Sequence, residues 1–512
     1  MTRKGLIKST SVIGMATAIS RVLGFVRDIV LASFFGTGMA AQAFVVAFRI
    51  PNSLRDLVGE GATNSAIVPV LSEYKELKDE KEFIHASRVL FNVFFLILTA
   101  VTILGVIFSP LIVRVIAPGF YAEPDKFTLT VRLNRIMFPY LIMIGLTAYA
   151  MGVLNSLRRF AAPAFGPALM NVAMIAAALW LCPNMGAMGL AIGVLVGGAL
   201  QLLLNTPFLY REGINIDFKD GLSHPAVRRI GRLLMPRAIG SAVYQINIFI
   251  DTILASLAWI VGAGGIAALY YANRLIQFPL AIFGLALAQA ALPKMSREFA
   301  SNDMATFKET ISFSLRMIIL IMLPSSVGLA VLGKQIITIL FQRGEFTTYS
   351  TEITQSALFF YAFGLFAYGG IKLLVTAFYA MHDTMTPVKV AAAAVVINLI
   401  LNLMLMWPLK LGGLALATSI SAIFNMLLLY KKLCKRLGDF GTYVIIDYLV
   451  RALIASLIMA LFLKFLSLLL PVGSPTGLFV SIFMGTMSFL AAAYVLNIKE
   501  IREIYGWIKN IR

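Results

Sequence analysis

Reactive and metal-binding side chains are scarce in this chain. Its 512 residues include two cysteines, three histidines and four tryptophans, and only 13% are charged. Cys182 and Cys434 lie in different segments with no CxxC spacing and no nearby histidine, which excludes a metal finger and a disulfide framework. His85, His224 and His382 have no metal-ligand spacing and fall in or beside polar connections. A GxxxxGK[ST] phosphate loop, an HExxH helix and a GxSxG elbow are all missing. The sequence therefore predicts no enzyme, and work done by the protein draws on a gradient or a membrane potential. Period-2 alternation is missing too, which excludes a β-barrel.

What the chain has instead is apolar sequence, 60% of it hydrophobic with a mean hydropathy of +0.88. Soluble domains carry roughly 25% charged residues, so this composition belongs to a polytopic membrane protein. At about 20 residues per crossing, the apolar runs make an all-α fold of about fourteen transmembrane helices. Their approximate extents are 10–35, 38–58, 88–116, 130–156, 162–182, 187–209, 232–260, 265–292, 311–333, 354–379, 388–407, 413–431, 447–470 and 475–496. The first run, after Lys4 and Lys8, resembles a signal peptide. No small-residue cleavage site precedes Arg21, so it is expected to stay as helix 1.

The net charge of +19 would suggest nucleic acid in a soluble protein. Here the basic residues crowd alternate connections such as SLRRF, SHPAVRRIGR and YKKLCKRLGDF, and are sparse in CPNMGAMG, WIVGAGG and LPVGSPTG. That asymmetry places both termini in the cytoplasm and turns the charge toward anionic lipid. Nucleic acid is not an expected partner.

An internal repeat divides the chain. DIVLAS at 28–33 matches DTILAS at 251–256, and AAQAFVVAFRIP with Arg49 parallels IAALYYANRLIQFP with Arg274. Two parallel six-helix lobes follow, residues 1–220 and 221–440, with helices 13–14 and a tail in 441–512 outside the repeat. Transporters built this way bind substrate at the lobe interface and alternate access by rocking. Pro51, Pro139, Pro163, Pro167, Pro236, Pro279 and Pro324 fall inside spans, where each removes a backbone bond and invites a kink.

Residues 20–61 carry charge where a bilayer resists it: Arg21, Arg27, Asp28, Arg49, Arg55, Asp56 and Glu60. Each costs roughly 2.5–3.5 kcal/mol near a helix centre, so such groups tend to face a protein-lined or aqueous path. Arg21 and Asp28 share a helix face, as do Asn52 and Arg55, with Glu60 following, and Arg274 shares a face with Gln277. Facing lobes would gather Arg21, Arg27, Arg55 and Arg274 around one cavity. Guanidinium forks suit a pyrophosphate. The plainer alternative is that each arginine pairs with a neighbouring acid or snorkels, and it weighs most for Arg27, beside Asp28, and for Arg49. Asp251, within helix 7, needs a cation, a proton or an arginine. Asp383, in HDTMTP, is either a cation ligand or part of a turn before a helix capped by Thr386 with Pro387 at its first position.

SRVLGFVRD (20–28), AFRIPNSLRDLVGEGA (47–62), YYANRLIQFP (270–279) and LFQRGEFT (340–347) together resemble the MurJ (MviN) family of lipid II flippases. The family is a branch of the multidrug/oligosaccharidyl-lipid/polysaccharide exporter superfamily, and the resemblance runs essentially end to end. It implies transport of lipid II, an undecaprenyl-pyrophosphate-linked disaccharide peptide, from the cytoplasmic to the periplasmic leaflet of the bacterial inner membrane. Cell-wall synthesis proteins and membrane lipids are the implied further partners. Arg21, Arg27, Arg55 and Arg274 match the functional cavity arginines, and Asn52 and Glu60 match positions lining the same cavity. Gln42 stands where the family often has an acid. Helices 13 and 14 would form a lipid-tail groove. No organic cofactor is implied. A coupling ion, Na⁺ or H⁺, is implied at Asp251 and Asp383, although Tyr379 stands where an amide ligand is expected. Two other readings compete. A cation-coupled multidrug exporter would need an acidic cavity, against the excess of arginine. A non-transporting scaffold for cell-wall enzymes would leave four intramembrane arginines unexplained.

Overall fold

A computed structural model describes residues 3–58, 66–159, 161–215, 217–469 and 474–502. Among these, fourteen long helical stretches occupy the expected spans. They are α1 (Arg3–Phe35), α2 (Met39–Val58), α3 (Glu80–Ile107), α4 (Pro124–Ser156), α5 (Ala161–Trp180), α6 (Ala187–Arg211) and α7 (Pro225–Ala255). The chain continues through α8 (Gly265–Ala300), α9 (Met304–Phe341), the bent α10 (Thr348–Ala362 with Leu365–Ala380), α11 (Met385–Leu409) and α12 (Leu411–Leu437). It closes with α13 (Thr442–Leu469) and α14 (Pro475–Val495). Ten of these helices are long and apolar enough to cross a membrane, and the bent pair makes eleven. Over the described residues, α1, α2 and α7 fall outside that set, the described apolar part of α7 being Ala242–Ala255. They are the helices that carry Arg21, Arg27, Arg49, Arg55 and Asp251.

The chain forms two compact units, Met1–Leu257 and Ala258–Arg512. In the first, α5 packs along α6 and α1, while α4 packs against α2, α3 and α6. The close fit of α5 on α6 comes from small residues one turn apart, since apolar lipid offers no hydrophobic drive between helices. A Cβ on Gly193 would lie 2.5 Å from the Ala177 Cβ, so only glycine lets the backbones meet there. α7 packs in this unit, against α2, α3 and the short helix Val68–Leu77.

In the second unit α11 packs along α12, and α10 packs against α8, α9 and α12. The pairings α2–α4, α3–α4, α4–α6 and α5–α6 thus recur six helices later as α8–α10, α9–α10, α10–α12 and α11–α12. α13 packs on α9 and α14. The outward face of α13 is apolar, with Ile446, Val450, Leu457, Leu461 and Phe465 exposed.

Two irregularities coincide with prolines. α4 breaks between Met137 and Tyr140, at Pro139, and α8 has a π-turn over Leu280–Leu285, immediately after Pro279. The 47° bend in α10 has no proline. There the Ser419 hydroxyl donates to the carbonyls of Phe360 (2.7 Å) and Tyr361 (3.3 Å), and Ser326 donates to that of Ala362. Neighbouring hydroxyls take over the carbonyls that the bend releases. Gly364 lets α12 come this close, because a Cβ there would lie 2.8 Å from the Ser419 Oγ.

Candidate functional site

Arg27 and Asp28 are buried in the first unit. The Arg27 Nη2 and Nε donate to Asp28 Oδ1 at 2.8 and 3.1 Å, and Nη1 donates to Asn171 Oδ1 on α5 at 3.0 Å. Asn171 in turn donates from Nδ2 to the Ser20 carbonyl at 2.9 Å. The guanidinium is therefore held in one orientation by two helices, and its charge is balanced locally. For Arg27 the neighbouring-acid pairing holds, with the addition of an amide 144 residues away.

Arg21 lies near the middle of α1 and is exposed, unlike Arg27. Asn52 and Arg55 are half-buried on α2, and Glu60 lies outside the described residues. The Arg49 Nη1 donates to the Thr252 hydroxyl on α7, which itself donates to the Ile248 carbonyl at 2.6 Å. Half-buried Asp251 is the residue before that threonine. Gln42 is buried and donates to the Thr37 carbonyl at 3.3 Å. An apolar cavity of about 320 Å³ is lined by Ile50, Leu54, Leu104, Phe138 and Phe249. Ser53 and Gln245 also border it, and none of the described charged site residues does.

Arg274 belongs to α8 in the second unit. Its Nη2 donates to the Tyr270 hydroxyl at 3.1 Å and its Nη1 to Gln277 Oε1 at 3.4 Å, with the guanidinium 4.9 Å from the Tyr270 ring centroid. The shared face with Gln277 read from the sequence is present. These two partners are neutral and orient the guanidinium fork.

Asp383 sits in the turn before α11. It accepts from the Thr386 amide at 2.9 Å and hydroxyl at 2.8 Å, and from Arg436 Nη1 at 2.8 Å. Burial alone would raise its pKa, but the Thr386 bonds and the Arg436 charge outweigh it and hold the carboxyl below the ordinary aspartate value. The carboxylate is thus a helix cap and ion-pair partner, with Asp383 rather than Thr386 providing the capping oxygen. Among the described residues, no group of three or more His, Cys, Asp or Glu side chains is placed to hold a metal ion.

Sequence reasoning missed Asn171 and Thr252. The only signal for Asn171 was an amide in an otherwise apolar run, and Thr252 was visible only as part of the DTILAS repeat.

This architecture defines a class, the all-α polytopic membrane proteins. It resembles an inward-facing multidrug resistance MATE family transporter of the MOP superfamily, with a TM-score of 0.69 at 16% identity, covering 82% of this chain and 95% of that one. At that identity the likeness is one of fold. The family model for lipid II flippase MurJ matches residues 31–484, and the chain belongs to that family. A Probable lipid II flippase MurJ of Vibrio cholerae is 39% identical over 442 residues, 84% of this chain and 83% of that protein. Its counterpart in Buchnera aphidicola from Acyrthosiphon pisum is 33% identical over 515 residues, covering 99% of each. A solved lipid II flippase MurJ in an inward closed conformation superposes with a TM-score of 0.81 at 27% identity, covering 95% of this chain and 98% of that one.

Proposed function

We propose that this protein moves lipid II from the cytoplasmic to the periplasmic leaflet of the bacterial inner membrane by alternating access, with both termini in the cytoplasm. The observation that carries the reading is membership of the lipid II flippase family across residues 31–484, with arginines inside the same helices. Arg21, Asn52, Arg55, Glu60 and Arg274 bind the headgroup, the guanidiniums taking pyrophosphate oxygens bidentately, and Arg27 would have to exchange Asp28 and Asn171 to join them. The helix pairings that recur at an offset of six support two lobes of common build. The polyprenyl tail stays in lipid along α13–α14, a role supported by the apolar outward face of α13.

The cycle needs an input of free energy. A carboxylate that binds Na⁺ or H⁺ in one conformation biases the equilibrium only by its differential affinity for the two. Asp251 is the candidate for that role. Asp383, bonded to Thr386 and Arg436, would have to exchange those partners to join it. The membrane potential contributes about 2.3 kcal/mol per charge per 100 mV and acts on any arginine-rich path. We take the potential as the main drive.

The test is complementation of a flippase-depleted strain by Arg21→Ala, Arg55→Ala and Arg274→Ala at normal membrane levels. Each is expected to fail, with lysine restoring only part of the activity because a point charge lacks the fork. Full activity of Arg274→Ala would remove the assignment.

A further inference from the structure

The second half of α10, Leu365–Ala380, has two unlike faces. One is buried and built from Leu373, Leu374, Ala377 and Phe378 with Gly369 and Gly370. The other presents Tyr368, Lys372, Thr376 and Tyr379 at spacings of four, four and three, with Lys372 and Tyr379 exposed and the other two half-buried. Half-buried Ile371 and Val375 flank them. A helix face in contact with acyl chains reads as α13 does, with Ile446, Val450, Leu457 and Leu461 outermost. A lysine and two tyrosines in line do not fit that surroundings, and an intramembrane cation normally faces protein or water. Among the described residues, no acid lies within ion-pair distance of Lys372, in contrast to Arg27 beside Asp28 and Arg436 beside Asp383.

Its depth sets it apart from Arg274. The first half of α8 packs on the first half of α10, and the second halves pack together, so the two helices run parallel. Gly284 of α8 meets Gly369 of α10, a Cβ on the former lying 3.5 Å from the Cα of the latter. Arg274 precedes that level by ten residues and Lys372 follows it by three. At the rise of an α-helix the two cations stand roughly 20 Å apart along the axis. One phosphate group does not span that distance, so Lys372 serves a different part of the headgroup or a different stage of its passage.

We infer that Lys372, on the polar Tyr368–Lys372–Thr376–Tyr379 face of α10, is a further anion-binding residue that contacts an anionic oxygen of the transported headgroup away from Arg274. This rests on the lipid II reading above. Phosphate and peptide carboxylate share the required chemistry, and lysine, as a mobile point charge, accepts either without fixing its orientation.

The experiment measures saturable binding of lipid II and of undecaprenyl pyrophosphate, which lacks the peptide, to the purified full-length protein in detergent. Wild type, Lys372→Arg and Lys372→Gln are compared, with Lys372→Met, which keeps the aliphatic stem, standing in if the glutamine variant does not fold. Loss of a charge-assisted hydrogen bond should weaken binding roughly tenfold or more. A similar loss for both ligands identifies phosphate as the contact, and a loss confined to lipid II identifies a carboxylate. Lys372→Arg should stay near wild type in either case. Neutral variants that bind both ligands as tightly as wild type, or an arginine variant as weak as the neutral ones, overturn the inference while leaving the functional reading intact. A wild-type protein that binds neither ligand defeats the functional reading and this inference with it.

Discussion

Arg27 and Asp28 are sequence neighbours that form a buried ion pair, Nη2 to Oδ1 2.8 Å, and the same guanidinium reaches Asn171 on α5. The arrangement ties α1 to α5 and sets the direction of the fork. It also makes the two residues poor candidates for separate removal, because breaking one partner strands the other charge.

Asp28→Asn should therefore destabilise the protein by about 3–5 kcal/mol, the cost of leaving a buried charge uncompensated. The double variant Arg27→Met/Asp28→Asn should recover much of that stability and still fail to complement a flippase-depleted strain. Thermal melting of the purified variants, read beside complementation, separates the two roles. A single Asp28→Asn variant that melts with wild type would show that the pair is not structural.

Asp383 yields a pH dependence of definite sign. Its folded-state pKa is depressed, so its contribution is fully present above the ordinary aspartate value of 3.8 and is lost as pH falls through the lower folded value. Asp383→Ala should cost about 1 kcal/mol at neutral pH, the usual loss for a helix cap. The gap between wild type and variant should close on acidification below that window. A gap that stays constant into strong acid would mean the carboxylate contributes by something other than charge.

How far these features could be read from sequence depends on how local they are. Helix positions follow from runs of apolar residues, and the Arg27–Asp28 pair from adjacency. The Arg274–Gln277 contact follows from a spacing of three on a helix. Partners brought by folding leave no such trace: Asn171 for Arg27, Thr252 for Arg49 and Arg436 for Asp383 are 144, 203 and 53 residues away. Lys372 was passed over because one lysine barely lowers the hydropathy of a long apolar run. Prolines pointed to α4 and α8 but not to the bend of α10, where two serines of neighbouring helices meet its own Gly364.

That bend can be tested by itself. Ser419→Ala removes the donor to the Phe360 carbonyl and should destabilise by about 1 kcal/mol. Gly364→Ala drives a methyl against α12 and should cost about 1–3 kcal/mol. The double variant should not recover, because the Ser419 Cα and Cβ also sit 2.9 and 3.0 Å from the new methyl position. Recovery in the double variant would place the crowding at the hydroxyl alone.

Asp251 discriminates between sources of drive. With the potential as the main drive, Asp251→Asn should still translocate substrate when the potential is intact. Dissipating the potential at fixed Na⁺ and proton gradients should slow wild type. A stalled Asp251→Asn variant under full potential, with wild-type rates that follow Na⁺ or pH, would make the carboxylate the coupling group instead.

The most direct measurement is translocation itself. Purified protein is reconstituted into vesicles with lipid II confined to one leaflet, a membrane potential is imposed, and appearance of the headgroup on the other side is followed. The account predicts protein-dependent transfer that is abolished by Arg274→Ala and partly kept by Arg274→Lys. Transfer by wild type no faster than in protein-free vesicles would contradict it.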